Sequence, residues 1–143
     1  MSYTPITIEA SIAADTAVVW EYYTKPEHII GWNFATPEWQ CPAAENDLRA
    51  GGRYFARMEA KDGSYGFDFE AVYDEVIPQE KIAYTMGDGR RATTTFEGLG
   101  ATTKVTTIFD AEASNPLEMQ RAGWQAILDN FKSYCEARHA DEQ

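Results

Sequence analysis

Arg53-Tyr-Phe-Ala-Arg-Met-Glu-Ala-Lys-Asp-Gly-Ser-Tyr-Gly-Phe-Asp-Phe-Glu-Ala-Val-Tyr-Asp74 changes character from one residue to the next. Tyr54, Ala56 and Met58 fall on one side of an extended chain, with Arg53, Arg57 and Glu59 on the other. After Lys61-Asp62-Gly63-Ser64 the alternation resumes, Phe67, Phe69, Ala71 and Tyr73 opposing Asp68, Glu70 and Asp74. A period of two marks a strand with one buried face. Asp-Gly between two such runs supplies the positive backbone angles of a tight hairpin. The stretch therefore predicts an antiparallel hairpin, apolar inside and solvated outside.

The same face continues downstream. Ile82, Tyr84 and Met86 are followed by Ala92, Thr94 and Phe96, then by Val105, Thr107 and Phe109, with Gly87-Asp88-Gly89 and Gly98-Leu99-Gly100 as turns and Lys104 outward. Upstream, Ile6, Ile8, Ala10 and Ile12 alternate with polar neighbours over residues 3–12. Asn115-Pro116-Leu117-Glu118 then opens a helix, with Asn115 as cap, Pro116 in the first turn and Glu118 reaching back. It runs to about Arg138, roughly 34 Å at 1.5 Å per residue. At 100° per residue, Leu117, Gln120, Trp124, Ile127 and Leu128 share a stripe with Phe131, Tyr134 and Cys135, while Arg121, Gln125, Asp129, Lys132 and Glu136 fall outside it.

Asp15 is placed to cap a short helix through Val18, Val19, Trp20, Tyr22 and Tyr23. Thr24-Lys-Pro-Glu27 has capping-box spacing and opens a second, carrying Ile29, Ile30 and Trp32. Residues 33–50, interrupted by Pro37 and Pro42, are expected to be irregular. A loop holding Phe34, Trp39 and Cys41 is either tucked over the core or a lid. The expectation is one α+β domain over residues 1–143: a curved antiparallel sheet of about six to seven strands wrapped around a long C-terminal helix, with two short helices after the first strand.

That order is the helix-grip arrangement, and three segments carry a family resemblance. They are Cys41-Pro-Ala-Ala-Glu-Asn-Asp-Leu-Arg-Ala-Gly-Gly-Arg-Tyr-Phe-Ala-Arg-Met-Glu-Ala-Lys-Asp-Gly-Ser64, Gly66-Phe-Asp-Phe-Glu-Ala-Val-Tyr-Asp-Glu-Val-Ile-Pro78 and Gln120-Arg-Ala-Gly-Trp-Gln-Ala-Ile-Leu-Asp-Asn-Phe131. In these the chain resembles the START-like (SRPBCC) superfamily, in the single-domain bacterial branch similar to the C-terminal domain of the activator of the heat-shock-protein-90 ATPase. The resemblance implies an internal cavity. Superfamily members bind lipids, sterols, polyketides or plant hormones, and a minority are cyclases or hydrolases; shared fold alone does not choose among these.

Composition narrows the partners. The chain has 143 residues, enough to bury one proper core, and 23 acidic against 12 basic residues give a net charge of −11. Such a surface repels phosphate backbones and anionic lipid heads, so neither nucleic acid nor membrane insertion is expected. Residues 1–5 lack the basic and apolar pattern of a secretory signal, and no apolar run approaches a membrane span, which makes the cytoplasm the expected compartment. Two cysteines, Cys41 and Cys135, form no disulfide framework and fit a reducing setting, although a single bridge between them is left open. A monomer or weak homodimer is expected.

No metal or other cofactor is expected. His28 and His139 stand in no ligand spacing with each other or with the cysteines. Nor is a catalytic residue assigned: no Gly-x-Ser-x-Gly is present, Cys41 reads more simply as a small buried residue than as a reactive thiol, and Gly51-Gly52 opens a strand rather than a phosphate-binding helix.

Aromatic residues make up 13% of the chain, and such side chains fill cores or line pockets. The candidate ligand-binding set takes Tyr54, Met58, Phe67, Phe69 and Tyr73 from the hairpin, and Tyr84, Met86, Thr94 and Phe96 from the next two strands. It adds Gln120, Trp124, Ile127 and Phe131 from the long helix, and Trp32, Phe34 and Trp39 at the expected cavity mouth. Small inward residues, Ala56, Ala71, Ala92 and Thr94, are expected to leave gaps beside the rings. Gly123 is expected where the helix closely approaches another segment and seats Trp124. The first functional reading is binding of a small apolar or amphipathic molecule. An aromatase- or cyclase-like enzyme, or a hydrolase, is the alternative, against which the outward Asp68, Glu70 and Asp74 count. A chaperone-interaction module ranks last, for want of a second domain like the partner-binding half of such activators.

Overall fold

Seven strands follow one another around a single antiparallel sheet in the computed structural model, which describes residues 3–141. Met1, Ser2, Glu142 and Gln143, the ends of the expected 1–143 domain, lie outside the described residues. In chain order the elements are β1 (Pro5–Ile12), α1 (Thr16–Thr24), α2 (Pro26–Ile29), β2 (Trp39–Asn46), β3 (Arg53–Ala60), β4 (Gly66–Ile77), β5 (Lys81–Met86), β6 (Arg91–Gly98), β7 (Thr103–Asp110) and α3 (Leu117–Asp141). The sheet order is β1-β7-β6-β5-β4-β3-β2, so the two edges are β1 and β2. This is the helix-grip fold: a curled sheet holding one long helix, with two short helices after the first strand.

Register confirms the inner face. Tyr54 lies opposite Ala71 and Met58 opposite Phe67; Tyr73 faces Tyr84, Thr94 faces Thr107, and Ile8 also faces Thr107. Because side chains alternate strictly, one correct residue in each strand fixes the rest. A bulge between Tyr73 and Glu75 inserts Asp74, whose carboxylate stays outside and accepts from the Thr85 hydroxyl at 2.7 Å.

Three local expectations change. Residues 39–46 are an edge strand, not loop. Pro42 sits where the register skips from Gln40 to Ala43, so its missing N–H interrupts no ladder bond. Thr24 is not the cap of α2: it ends α1, buried, with its hydroxyl donating to the Trp20 carbonyl at 2.7 Å, and the N-cap is Lys25. Leu117, assigned to the buried stripe, is 44% exposed at the first residue of α3.

The polar residues outside the stripe have a structural task. Arg121 donates to the Thr7 carbonyl, Gln125 to that of Glu9 and Lys132 to that of Ser11, while the Glu136 carboxylate accepts from the Ala13 amide, at 2.7–3.0 Å. Fifteen helical residues rise about 22 Å and six extended residues about 20 Å, so helix and strand stay in step over all four rungs. The rungs cover the free edge of β1, which would otherwise offer unpaired backbone to another strand.

Gly123, in the middle of α3, has nothing within 4 Å of where a Cβ would lie, so the expected close approach is not made there. It is made at Gly31 instead, where a Cβ would stand 2.4 Å from the Tyr134 ring. Tyr134 in turn exchanges a 2.9 Å hydrogen bond with His28, docking α2 on α3.

Candidate functional site

Between the inner face of the sheet and α3 lies a cavity of about 280 Å³, near the lower end of the range for small-molecule sites. Its walls come from four directions. β3 contributes Tyr54 and Met58, and β4 contributes Phe67, Phe69 and Tyr73; Ile82 and Tyr84 of β5 extend the wall. Ile8 and Thr107 belong to the far side of the sheet. Trp124, Ile127 and Leu128 form the helix side, and Tyr23, Trp32 and Asn33 close the side of the short helices. Arg90, just before β6, completes the lining as its sole charged residue among those described.

The rings are held before any ligand arrives. Tyr54 stacks on Tyr84 with centroids 6.1 Å apart and an interplanar angle of 14°, and both meet Phe69 and Tyr73 edge to face. Trp124 lies flat on Phe109 at 3.9 Å, which turns one face of the indole into the core. Trp32 stacks on Tyr23 and donates its Nε1–H to the Tyr22 carbonyl at 2.9 Å. Asn130 of α3 donates to the Trp32 carbonyl at 2.9 Å, locking that segment against the helix. Phe67 is 40% exposed while also lining the cavity, which marks an opening at this end.

Polar groups in the wall are mostly occupied. Tyr73 donates to Asn46 at 2.7 Å, and Asn46 donates on to the Thr24 carbonyl at 2.6 Å. Tyr54 accepts from the Asn33 amide at 3.2 Å. The Thr94 and Thr107 hydroxyls are 2.8 Å apart, and both lie in hydrogen-bonding reach of the Tyr23 phenol. Burial pushes the Tyr54 and Tyr84 phenols well above their ordinary range and Tyr73 in the same direction, so all three stay protonated at neutral pH. They are donors of hydrogen bonds, poorly suited to giving up protons.

Nine of the sixteen candidate residues line this cavity: Trp32, Tyr54, Met58, Phe67, Phe69 and Tyr73, with Tyr84, Trp124 and Ile127. Seven do not, each because another group claims its side chain. Gln120 accepts from the Glu112 amide and donates to the Glu112 and Asn115 carbonyls, closing the β7–α3 connection. Phe131 fills the angle between Tyr23 and Trp32, and Phe96 meets Trp20 and Tyr23 edge-on. Thr94 is buried behind its bond to Thr107, and Met86 packs in the core at the end of β5. Phe34 packs instead on a satellite cluster of Cys41, Ala56 and Met58. Trp39 joins Tyr65 and Phe67 in an aromatic group on the rim, 5.8 and 6.2 Å from them. Ala56, Ala71 and Ala92, expected to leave gaps, are buried away from the lining; the space opens between large rings and the helix.

Sequence reasoning missed Ile8, Tyr23, Asn33, Ile82, Leu128, Thr107 and Arg90 as lining. Ile8, Ile82, Leu128 and Thr107 lie on the inward faces that the periodicity marks and read there as ordinary core. For Arg90 a signal existed: counting back by two from Thr94 and Ala92 reaches it. The adjoining Gly87-Asp88-Gly89 turn hid that reading.

Among the described residues no group of histidine, cysteine and carboxylate side chains is arranged to hold a metal ion. Cys41 and Cys135 are buried in different clusters and are not bridged; burial pushes the Cys41 thiol up to about 11, which suppresses its reactive thiolate form. No helix among the described residues is long and apolar enough to cross a membrane.

Comparison with known proteins fits this architecture. The sequence profile of the family described as "Activator of Hsp90 ATPase homolog 1-like protein" matches residues 13–136. The solution structure of an AHSA1-like protein from Aeromonas hydrophila is 40% identical, covers 95% of this chain and 94% of its own, and superposes with a TM-score of 0.89. A solution structure from Cytophaga hutchinsonii is 49% identical over 94% of each chain, with a TM-score of 0.80. A crystal structure from Chromobacterium violaceum shares the fold at 23% identity and a TM-score of 0.83, covering 93% of this chain and 98% of its own. No curated protein matches. With its profile match spanning the short helices, strands β2 to β7 and most of α3, this chain belongs to the Activator of Hsp90 ATPase homolog 1-like family, a single-domain branch of the START-like superfamily.

Proposed function

We propose that this protein binds a small, mainly apolar molecule in the cavity between the sheet and α3. The observation that carries the reading is a space of about 280 Å³ walled by ordered aromatic rings and open beside Phe67. Well-packed interiors leave few voids larger than a water molecule. About 150 Å³ of apolar cavity accommodates one benzene ring, so this space suits a body of one ring or two fused rings. Pre-stacked walls lower the ordering penalty of binding. The lining phenols orient a ligand by hydrogen bonding, which favours binding over acid–base turnover.

The test is a neutral fluorescent probe built on two fused rings, 6-propionyl-2-(dimethylamino)naphthalene, whose emission rises in apolar surroundings. The parent protein should enhance it saturably at about one equivalent. Ile127→Phe, which puts a ring into the cavity from the helix side, should reduce the enhancement with little loss of stability. Ala71→Phe, placed in packed core, should instead cost about 1–3 kcal/mol through overpacking. No enhancement in the parent, together with destabilisation by Ile127→Phe as large as that by Ala71→Phe, would refute the reading.

A further inference from the structure

The one charge on the cavity wall has the sign opposite to the chain as a whole. The protein carries −11, yet among the described residues Arg90 is the only charged one in the lining, with no carboxylate beside it there. Its side chain is 16% exposed. Two contacts fix it: Nε donates to Asp88 at 2.7 Å, and Nη1 donates to the Asp110 carbonyl at 3.3 Å. Nη2 makes no hydrogen bond to another described residue, and a guanidinium has donors to spare but no acceptor. Asp88, its ion-pair partner, is 53% exposed, so water weakens the neutralising field on that side.

Nearby hydroxyls lean the same way. The Tyr84 phenol feels the Arg90 charge and hydrogen-bonds to no other described residue, and the Tyr54 oxygen accepts from Asn33, which leaves its own proton to give. Arg90 and the Tyr84 and Tyr54 hydroxyls thus all have protons to give, against the acceptor oxygen of the Asn33 amide on the same wall. No buried side-chain nitrogen or oxygen of the described residues lacks a partner, so these donors face water, and a ligand that displaces that water has to bring acceptors in its place. A carboxylate offers acceptor sites only, and pairs with arginine through two parallel bonds.

We infer that the cavity takes a small aromatic monocarboxylate, its ring or fused ring pair against Trp124 and the tyrosine stack and its carboxylate held by Arg90 and the Tyr84 hydroxyl. This rests on the cavity being a binding site, as proposed above. The acidic exterior then acts as a filter: polyanions are turned away, while a monoanion with a large apolar body is retained by burial and by one matched charge.

Naphthoate and naphthamide separate the two claims, since they share a shape and differ in charge. Each is titrated against bound 6-propionyl-2-(dimethylamino)naphthalene with the parent protein, Arg90→Ala and Tyr84→Phe, all checked for native circular dichroism. Naphthoate should displace the probe at a concentration about ten- to a hundredfold lower than naphthamide, the discrimination expected of hydrogen bonds to a charged group. Arg90→Ala should abolish that preference and leave naphthamide unchanged; Tyr84→Phe should shrink it several-fold, and it decides the matter alone if Arg90→Ala does not fold. Bound probe with equal displacement by both compounds, or a preference surviving the folded variants, overturns the carboxylate assignment and leaves the cavity reading standing. Failure of probe and both naphthyl compounds to bind removes both.

Discussion

Gly31→Ala and Gly123→Ala should move stability in opposite directions. A Cβ at Gly31 would stand 2.4 Å from Cε2, 2.9 Å from Cζ and 3.1 Å from the hydroxyl of Tyr134. Ordinary carbon contacts are about 3.5–4.0 Å, so the ring has to move by about 1 Å. It is not free to do so. His28 holds its hydroxyl at 2.9 Å, Arg138 lies 4.7 Å over its face, and Tyr22 meets it edge-on. Overpacking costs about 1–3 kcal/mol and loss of the hydrogen bond about 1 kcal/mol more. For a chain of this length 1 kcal/mol is about 3 °C in Tm, so Gly31→Ala should lower Tm by about 6–12 °C. At Gly123 the added methyl meets nothing within 4 Å, and alanine restores up to about 1 kcal/mol of helix propensity, raising Tm by about 3 °C.

Differential scanning fluorimetry and urea unfolding read both changes. A Tyr134→Ala background supplies the control: with the ring gone, Gly31→Ala should lose most of its penalty, a coupling of at least about 1 kcal/mol. The consequence reaches the cavity, because Trp32 follows Gly31 in the chain and forms part of its wall. Probe affinity should fall in Gly31→Ala and hold in Gly123→Ala. Gly31→Ala within about 1 °C of the parent, or a penalty unchanged without Tyr134, would refute the close packing of α2 on α3.

Asn46→Ala should cost about 1–3 kcal/mol in urea unfolding, because the Tyr73 hydroxyl and the Thr24 carbonyl both lose their partner in a buried setting. Stability should decline as pH falls below about 6.5, and His28→Gln should flatten that decline. Burial first, then the charge of Arg138, holds the His28 imidazole below its ordinary pKa, so the unfolded chain takes up the proton first and the contribution present at higher pH is lost on acidification. The carboxylates held low, Glu112 and Glu136 among them, lose their contribution only below their ordinary 4.5. Ellman's reagent at pH 8 should label Cys41 at least a hundredfold more slowly in the native protein than in guanidinium, since a thiol pushed up to about 11 is almost wholly protonated there.

Where the sequence was legible, a strict period did the reading. Alternation in β3 to β7 fixed the inner face, and the 100° stripe from Gln120 to Cys135 fixed the length of α3. Residues whose role depends on a distant partner were opaque. Gln120 lies inside the stripe, but its amide serves the backbone at Glu112 and Asn115. Pro42 reads as a breaker until the bulge opposite Glu59 and Arg57 gives it a place in an edge strand. Gly123 and Gly31 look alike in sequence, and only the position of Tyr134 tells which one the packing requires.

The location of the cavity follows from the helix being tied to one edge of the sheet. Four polar rungs hold α3 in register with β1, and Trp124 on Phe109 holds it over neighbouring β7. Among the described residues no comparable set of hydrogen bonds draws it towards β3 and β4 at the other end of the sheet. Those strands carry the largest inward rings, yet their aromatic stack is completed among themselves and with Tyr84 rather than against the helix. A straight helix fastened along one margin of a curved sheet necessarily stands away from the other. The gap could have been filled by longer residues on α3, but the side that looks that way carries only Ile127 and Leu128 beside Trp124, whose ring is turned onto Phe109. Trp32 and Asn33 close one flank through Asn130. The opening left beside Phe67 is therefore a product of the same asymmetry that protects the β1 edge, with the stability of the fold and the space for a ligand resting on one set of contacts.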